Sequence, residues 1–389
     1  MRMRLRPAAT IFMMSLLLVG VLLCFALSQK GPLERPVLEG KPIGHWLELM
    51  GSDGGNRVAI RDRLVTLGPA AIPPLLAALE DRPSAMRVKV SSQIWGLVAN
   101  HHPSAVPSVQ RLLWPRRPSS RWMAAYTLAA MPPDPTIRDG LIRSLRLARD
   151  PREDSSIGFY AARGLAEHHT NDPTAVIPAL RAALQVPHDN IQAQAALALP
   201  GFGTNGLVAV PELIKLVSGT NDYLSSHVAK ALGQFGPAAV SALPAIRPLL
   251  TNKEPAVRRT AAVAIWKIAP ETGFPADVLL FNMRTGRPQE RVAAAQELRT
   301  FDPTRTREVI ATLVDVIKSQ PEVQQGQANH GPRWHAAQLL GEMGAEAKEA
   351  LPILAEAESD QGHEWVREAA KEARQKIEAA LAGTAEIAR

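Results

Sequence analysis

The 389-residue chain contains a single cysteine, Cys24, inside an apolar stretch near its beginning. The rest of the sequence therefore offers no disulfide, no thiol nucleophile and no cysteine metal ligand. Aromatic residues are scarce too, at 5% of the chain against 46% hydrophobic residues, so the apolar content is mostly Ala, Leu, Val and Ile. That composition suits closely spaced helices and argues against large β-rich domains. The 32 prolines are not clustered as in a disordered tract. Most sit singly between Ala/Leu-rich runs, where they can mark helix starts.

The N-terminus reads Arg2, Arg4 and Arg6, followed by an uncharged stretch from Pro7 to Ser28. A helix needs about 20 apolar residues to cross the hydrocarbon core, whereas a cleavable apolar region usually has about 7 to 15. Length favours an uncleaved signal anchor spanning residues 7–28, while Ala26-Leu27-Ser28 offers small residues for cleavage near Ser28. A lipoprotein reading through Cys24 is opposed by Leu23 in the preceding position. With the three arginines retained inside, residues 29–389 are expected on the far side of the membrane. The formal charge of +7 is unevenly spread: residues 82–152 carry 12 Lys/Arg against 3 Asp/Glu, and residues 290–389 carry 12 against 17. A basic early part and an acidic end are implied.

One phrase recurs: Arg-x-x-Ala-Ala-x-x-(Leu/Ile), starting at Arg121, Arg258, Arg291 and Arg333. Looser copies start at Arg57, Arg87, Gly158, Gln192 and Ser225, so that successive starts lie 30, 34, 37, 34, 33, 33, 33 and 42 residues apart, and a weaker unit begins near Arg367. Apolar positions at i+3, i+4 and i+7 make one helical face, and paired alanines admit a neighbouring helix closely. A second run follows, usually opened by an apolar-Pro pair: Ile72-Pro73, Val106-Pro107, Ile177-Pro178, Val210-Pro211, Leu243-Pro244 and Leu351-Pro352. Glycine separates the two runs at Gly68, Gly203, Gly236 and Gly344, matching its preference just past a helix C-terminus. Each unit reads as a helical hairpin, and a period of this kind indicates a stack of such units.

On the first-helix phrase, the interhelical glycine and the second-helix proline, with Glu254-Pro255-Ala256-Val257-Arg258 as the nearest match, residues 55–382 resemble the HEAT family, especially its short-unit bacterial, lyase-type HEAT-like repeats. The resemblance implies an all-α fold, an armadillo/HEAT-like α-solenoid of about ten helical hairpins behind one N-terminal transmembrane or signal helix. The domain plan is a signal segment 1–28, a tether 29–41, the repeats 42–383 and a tail 384–389. Residues 42–54 are expected to cap the first unit and residues 364–382 the last, where Trp365, Ala369, Ala373 and Ile377 share one side of the helix. In such arrays the recurrent arginine joins a ladder with acidic loop residues, and Asp53, Asp81 and Glu254 precede Arg57, Arg87 and Arg258 suitably.

Two segments escape the rhythm. Lys318–Gly331, with Gln320, Gln324, Gln325 and Gln327, reads as a polar loop of about 14 residues, either a disordered or benign insertion or a binding loop. Trp114-Pro115-Arg116-Arg117-Pro118 combines an aromatic residue with paired arginines in the basic region and suits an acidic partner or a solvated turn. Trp114, Arg116, Arg117, Gln324 and Gln325 are thus the candidate partner-binding residues. Gly201-Phe202-Gly203-Thr204-Asn205-Gly206 has the dinucleotide spacing but follows a helical run, not a strand, which speaks against a cofactor. The pairs His101-His102 and His168-His169 close first helices, where the helix dipole favours a cation; without further ligands no metal is expected. Deoxyhypusine hydroxylases, a HEAT-like enzyme type, hold iron with repeated His-Glu pairs, of which only His363-Glu364 has the order here. Trp95, Trp122, Trp266, Trp334 and Trp365 fall within first helices and are expected in the core or between repeats.

These readings lead to a non-enzymatic extracytoplasmic scaffold without a cofactor, binding a protein or peptide on a surface that second helices usually form. One alternative is a nucleic-acid binder using residues 82–152, set back because export removes intracellular nucleic acid from reach. The other is a HEAT-like enzyme of bilin-lyase or metal-dependent hydroxylase type, for which no residue speaks.

Overall fold

The computed structural model describes residues 37–50, 56–81, 119–150, 153–219, 221–273, 275–319, 322–324, 327–359 and 363–387. The apolar segment 7–28, the unit beginning at Arg87, His101-His102, Trp95 and Asp53 lie outside the described residues. The chain divides into two compact units, Met1–Gly206 and Leu207–Arg389. Each is built from helical hairpins.

In the first unit, β1 (Val37–Leu38) pairs antiparallel with β2 (Lys41–Pro42) within the stretch expected to be a tether, and α1 (Ile43–Met50) follows. Trp46 Nε1 donates to the Leu38 carbonyl at 3.1 Å, and Ile43, Leu47 and Met50 are fully buried. The hairpins are α2 (Arg57–Thr66) with α3 (Ile72–Glu80), α4 (Ser119–Leu128) with α5 (Pro135–Leu147), and α6 (Ser155–His168) with α7 (Pro173–Ala183), followed by α8 (Asp189–Ala198). Although residues 82–118 separate them in sequence, α3 packs directly on α4. First helices α4, α6 and α8 form one layer and second helices the other.

The second unit begins with α9 (Val210–Val217) and continues with α10 (Asp222–Gln234), the four-residue α11 (Leu243–Ile246), α12 (Pro255–Ile268), α13 (Ala276–Thr285), α14 (Pro288–Phe301) and α15 (Thr306–Lys318). Then come β3 (Glu322–Gln324), β4 (Gln327–Asn329), α16 (Gly331–Met343), α17 (Leu351–Ala357) and the closing α18 (Glu364–Ile387). Here α10, α12, α14, α16 and α18 stack in succession, backed by the second helices. The proposed polar loop is in part a β-hairpin, with Gln324 opposite Gln327.

The repeat phrase supplies the core. Ala124/Ala125, Ala161/Ala162, Ala195/Ala196, Ala261/Ala262, Ala294/Ala295 and Ala336/Ala337 are at most 1% exposed, and the leucine or isoleucine three residues beyond each pair is buried as well. The interhelical glycines behave alike: Gly68, Gly203, Gly236 and Gly344 have φ of 61°, 55°, 60° and 57°. At Gly344 (φ 57°, ψ −133°) the backbone occupies a region that side-chain-bearing residues avoid. Gly344→Ala should therefore cost about 2 kcal/mol, measured by urea unfolding of the full chain. Asp189–Val217 is the one helical stretch among the described residues long and apolar enough to cross a membrane, but the backbone at Gly203 breaks it into α8 and α9.

Two sequence expectations change. Ile177-Pro178 does not open a helix, because α7 starts at Pro173, where Asp172 accepts a hydrogen bond from the Ala175 amide and is the stronger start signal; Pro178 lies inside the helix. The arginine ladder is met in part: Arg121 pairs with Glu153 at 2.8 Å and Arg291 with Asp315 at 2.6 Å, Arg258 does not use Glu254, and Asp53 and Arg87 lie outside the described residues. Each arginine reaches back to carbonyls at or just beyond the end of the preceding helix: Arg57 Nε to Met50 at 3.0 Å, Arg121 Nε to Leu79 at 3.0 Å, Arg291 Nε to Met283 at 2.8 Å and Arg333 Nε to Ile317 at 2.9 Å. Arg258 does the same with Nη1 on the Asn252 and Lys253 carbonyls, at 2.7 and 2.9 Å, instead of pairing with Glu254. Gln192, which replaces the arginine in its unit, donates to the Leu184 carbonyl at 2.9 Å. Helix ends leave such acceptors unpaired, so a long donor at one repeat position is a structural clamp.

Of the pair His168-His169, His168 lies in the last turn of α6 as expected and His169 differs. His169 is 3% exposed at the C-cap of α6, and burial, with the charges of His168 and Arg138 adding to it, lowers its pKa below the ordinary 6.5. It is held neutral instead of serving as a dipole-capping cation. Between its folded pKa and 6.5 the unfolded chain binds the extra proton, so stability must fall as pH drops below 6.5. His169→Phe should flatten that part of a stability-against-pH curve recorded by urea unfolding.

Candidate functional site

The first helices pack closest where they carry small residues. At Gly341 of α16 an added Cβ would lie 2.8 Å from Ala373 Cα of α18, so the two backbones touch at that level. Toward the helix starts the side chains are large: Trp334, His335 and Gln338 on α16, and Trp365, Glu368 and Glu372 on α18. The result is a cleft of about 750 Å³ between the two helices, reached also by Asn329 of β4 and by His330 and His363, which precede α16 and α18.

Its walls are aromatic. The His330 and His363 rings lie 4.6 Å apart at 34°, His363 meets Trp365 edge-on at 5.2 Å, and Trp334 lies 4.6 Å from His335. Trp365 is 70% exposed, the largest value among the exposed large hydrophobic residues described. That contradicts its expected packing role. The buried face of α18 is Val366, Ala369, Ala370, Ala373 and Ile377, one position out of phase with a face that includes Trp365. Two of the other tryptophans do pack between repeats: Trp122 stacks on Tyr160 at 5.9 Å, and Trp266 lies 4.6 Å from Phe301. His363 Nδ1 is buried without a hydrogen-bond partner among the described residues. Two carboxylates, Glu368 and Glu372, sit one turn apart and exposed on the α18 side, and among the described residues no lysine or arginine lines the cleft.

Of the candidate partner-binding residues, Trp114, Arg116, Arg117 and Gln325 lie outside the described residues, and Gln324 lies in β3. Sequence reasoning missed His330, His335, Gln338, Glu368 and Glu372, because they are scattered over 43 positions of sequence, His330 to Glu372, and match no motif. The available signal was the helical phase of α18, which leaves a tryptophan off the apolar face. The cleft is lined by first helices and the turn before α16, not by second helices. Among the described residues no group of three His, Cys, Asp or Glu side chains is placed to hold a metal ion.

Three arginines in the described part of the basic region are held in ion pairs. Arg121 pairs with Glu153 at 2.8 Å, Arg143 with Glu80 at 2.7 Å, and Arg138 with Asp139 and Asp172. Phosphate binding there would have to break these pairs.

Residues 210–299 match the HEAT repeats family. A search of curated proteins finds no sequence match. Among solved structures, the chain is similar to YibA of Escherichia coli, at 14% identity over 84% of this chain and 98% of that one, with a TM-score of 0.43. It is also similar to the CpcE–CpcF complex of phycocyanin lyase from Nostoc, at 22% identity over 61% of this chain and 89% of that one, with a TM-score of 0.39. Yeast importin-beta aligns at 13% identity over 93% of this chain but 53% of its own, with a TM-score of 0.46.

Proposed function

We propose that this chain is a non-enzymatic scaffold that binds a protein or peptide, held outside the cytoplasmic membrane by residues 7–28 as an anchor. The observation that carries it is the cleft between α16 and α18, where an exposed tryptophan and a buried, unpartnered imidazole nitrogen sit on otherwise tightly packed helices. Single exposed apolar residues are ordinary, but an exposed tryptophan at the mouth of a concave, aromatic-walled cleft has the anatomy of an interaction anchor. Stacked helical hairpins supply rigid support for such an anchor without chemistry of their own.

The reading is tested by placing a photocrosslinking residue at position 365 in the native host and identifying captured proteins. A discrete captured protein, lost when Trp334 is also changed to alanine, is the expected result; crosslinks confined to lipid or bulk protein would overturn it. Topology is tested separately by protease treatment of spheroplasts, where the repeats should be digested while the cell interior stays protected.

A further inference from the structure

We infer that the cleft between α16 and α18 recognises a basic side chain, a lysine or arginine presented by the bound polypeptide; this rests on the protein-binding reading and specifies its ligand. Trp334 and Trp365 offer indole faces, whose negative quadrupole attracts a cation held over them. Glu368 and Glu372 stand at the rim one helical turn apart, and among the described residues no lysine or arginine lines the cleft to oppose an incoming charge.

The geometry matches the amphipathic build of lysine and arginine, whose methylene stem lies along an apolar wall while the charged head reaches the polar end. Here the stem would run along the indole of Trp365 and the head would meet the two carboxylates. An apolar side chain of equal size would desolvate Gln338 and the carboxylates with no compensating bond, and an acidic one would face like charge. The surrounding sequence carries the same sign, since residues 290–389 hold 17 acidic against 12 basic residues. A basic peptide is steered there.

The test uses the full chain in detergent, labelled with 5-fluorotryptophan, with the Trp334 and Trp365 resonances assigned through Trp334→Phe and Trp365→Phe among the seven tryptophans. The probes are capped pentapeptides with a central lysine, arginine, norleucine or glutamate flanked by glycines, and tetramethylammonium. Lysine and arginine peptides should shift both resonances, with the norleucine peptide about tenfold weaker, the scale of a cation–π contact with a carboxylate beside it. The double variant Glu368→Gln, Glu372→Gln should lose about tenfold for the basic peptides and nothing for norleucine; both positions are exposed, so the fold is spared. Equal binding of norleucine and lysine peptides would overturn the inference in favour of plain apolar docking. Tighter binding of tetramethylammonium than of either basic peptide would overturn it in favour of a small-molecule cation site. If crosslinking at position 365 captures a protein while no basic peptide moves the resonances, the scaffold stands and the basic-side-chain reading falls.

Discussion

Arg258→Ala should destabilise the second unit by about 3 kcal/mol, measured as a loss of urea-unfolding free energy by far-UV circular dichroism. The guanidinium is 8% exposed and holds three acceptors at once: Nε on Asn282 Oδ1 at 2.8 Å, and Nη1 on the carbonyls of Asn252 and Lys253. Asn282, itself 1% exposed, passes the contact on through Nδ2 to the Pro255 carbonyl at 3.0 Å, joining the start of α12 to α13. Phe281 covers the guanidinium at 5.1 Å. Alanine would leave these acceptors without their donor, which costs more than the net value of the bonds themselves. Arg258→Lys should recover less than half of the loss, because one ammonium on a flexible stem cannot satisfy three acceptors fixed by a planar fork. The exposed Arg284 to alanine should change stability by no more than about 0.5 kcal/mol.

Gly341→Leu should cost about 3 kcal/mol or more and release α18, seen as faster amide hydrogen exchange along Ala369–Ile377. A Cβ alone at position 341 would stand 2.8 Å from Ala373 Cα and 3.1 Å from Ala373 Cβ, contacts a folded backbone does not tolerate. The remaining atoms of leucine would have to enter a region where Leu340, Ala370, Ala373 and Ile377 are each at most 2% exposed. Packing at crystal-like density has no slack to absorb them. Because the same two helices line the cleft, a peptide that binds there should lose affinity in this variant in parallel with the exchange. Gly383→Ala provides the contrast within α18. Nothing lies within 4 Å of its added Cβ, so the change should stabilise the helix by about 0.5 to 1 kcal/mol.

How far each conclusion was legible depends on how local its cause is. The paired alanines, the leucine three residues on, and the positive-φ glycines are set by helix periodicity and backbone sterics, so the phrase Arg-x-x-Ala-Ala-x-x-Leu was sufficient to place them. The arginine was legible as a structural residue but its partners were not, since a carbonyl at a helix end has no residue type to read. Pro178 was misplaced because two helix-start signals competed within six residues and the aspartate cap at Asp172 prevailed. Trp365 was assigned to the wrong face because a shift of one residue moves a side chain about 100° around a helix, and that helix is rich in alanine on both candidate faces.

By itself, then, the sequence determined the repeat, the two-helix unit, the residues at its core and the turns between its arms, all of which follow from interactions within about ten positions of chain. The tertiary structure alone decided that α3 stacks on α4 across a gap of 38 residues in sequence, from Glu80 to Ser119, that the arginines clamp carbonyls, and that three histidines, two tryptophans and two glutamates meet at one cleft. Those outcomes depend on which helix lies beside which and how closely small residues let them approach, and neither distance is encoded in any single segment.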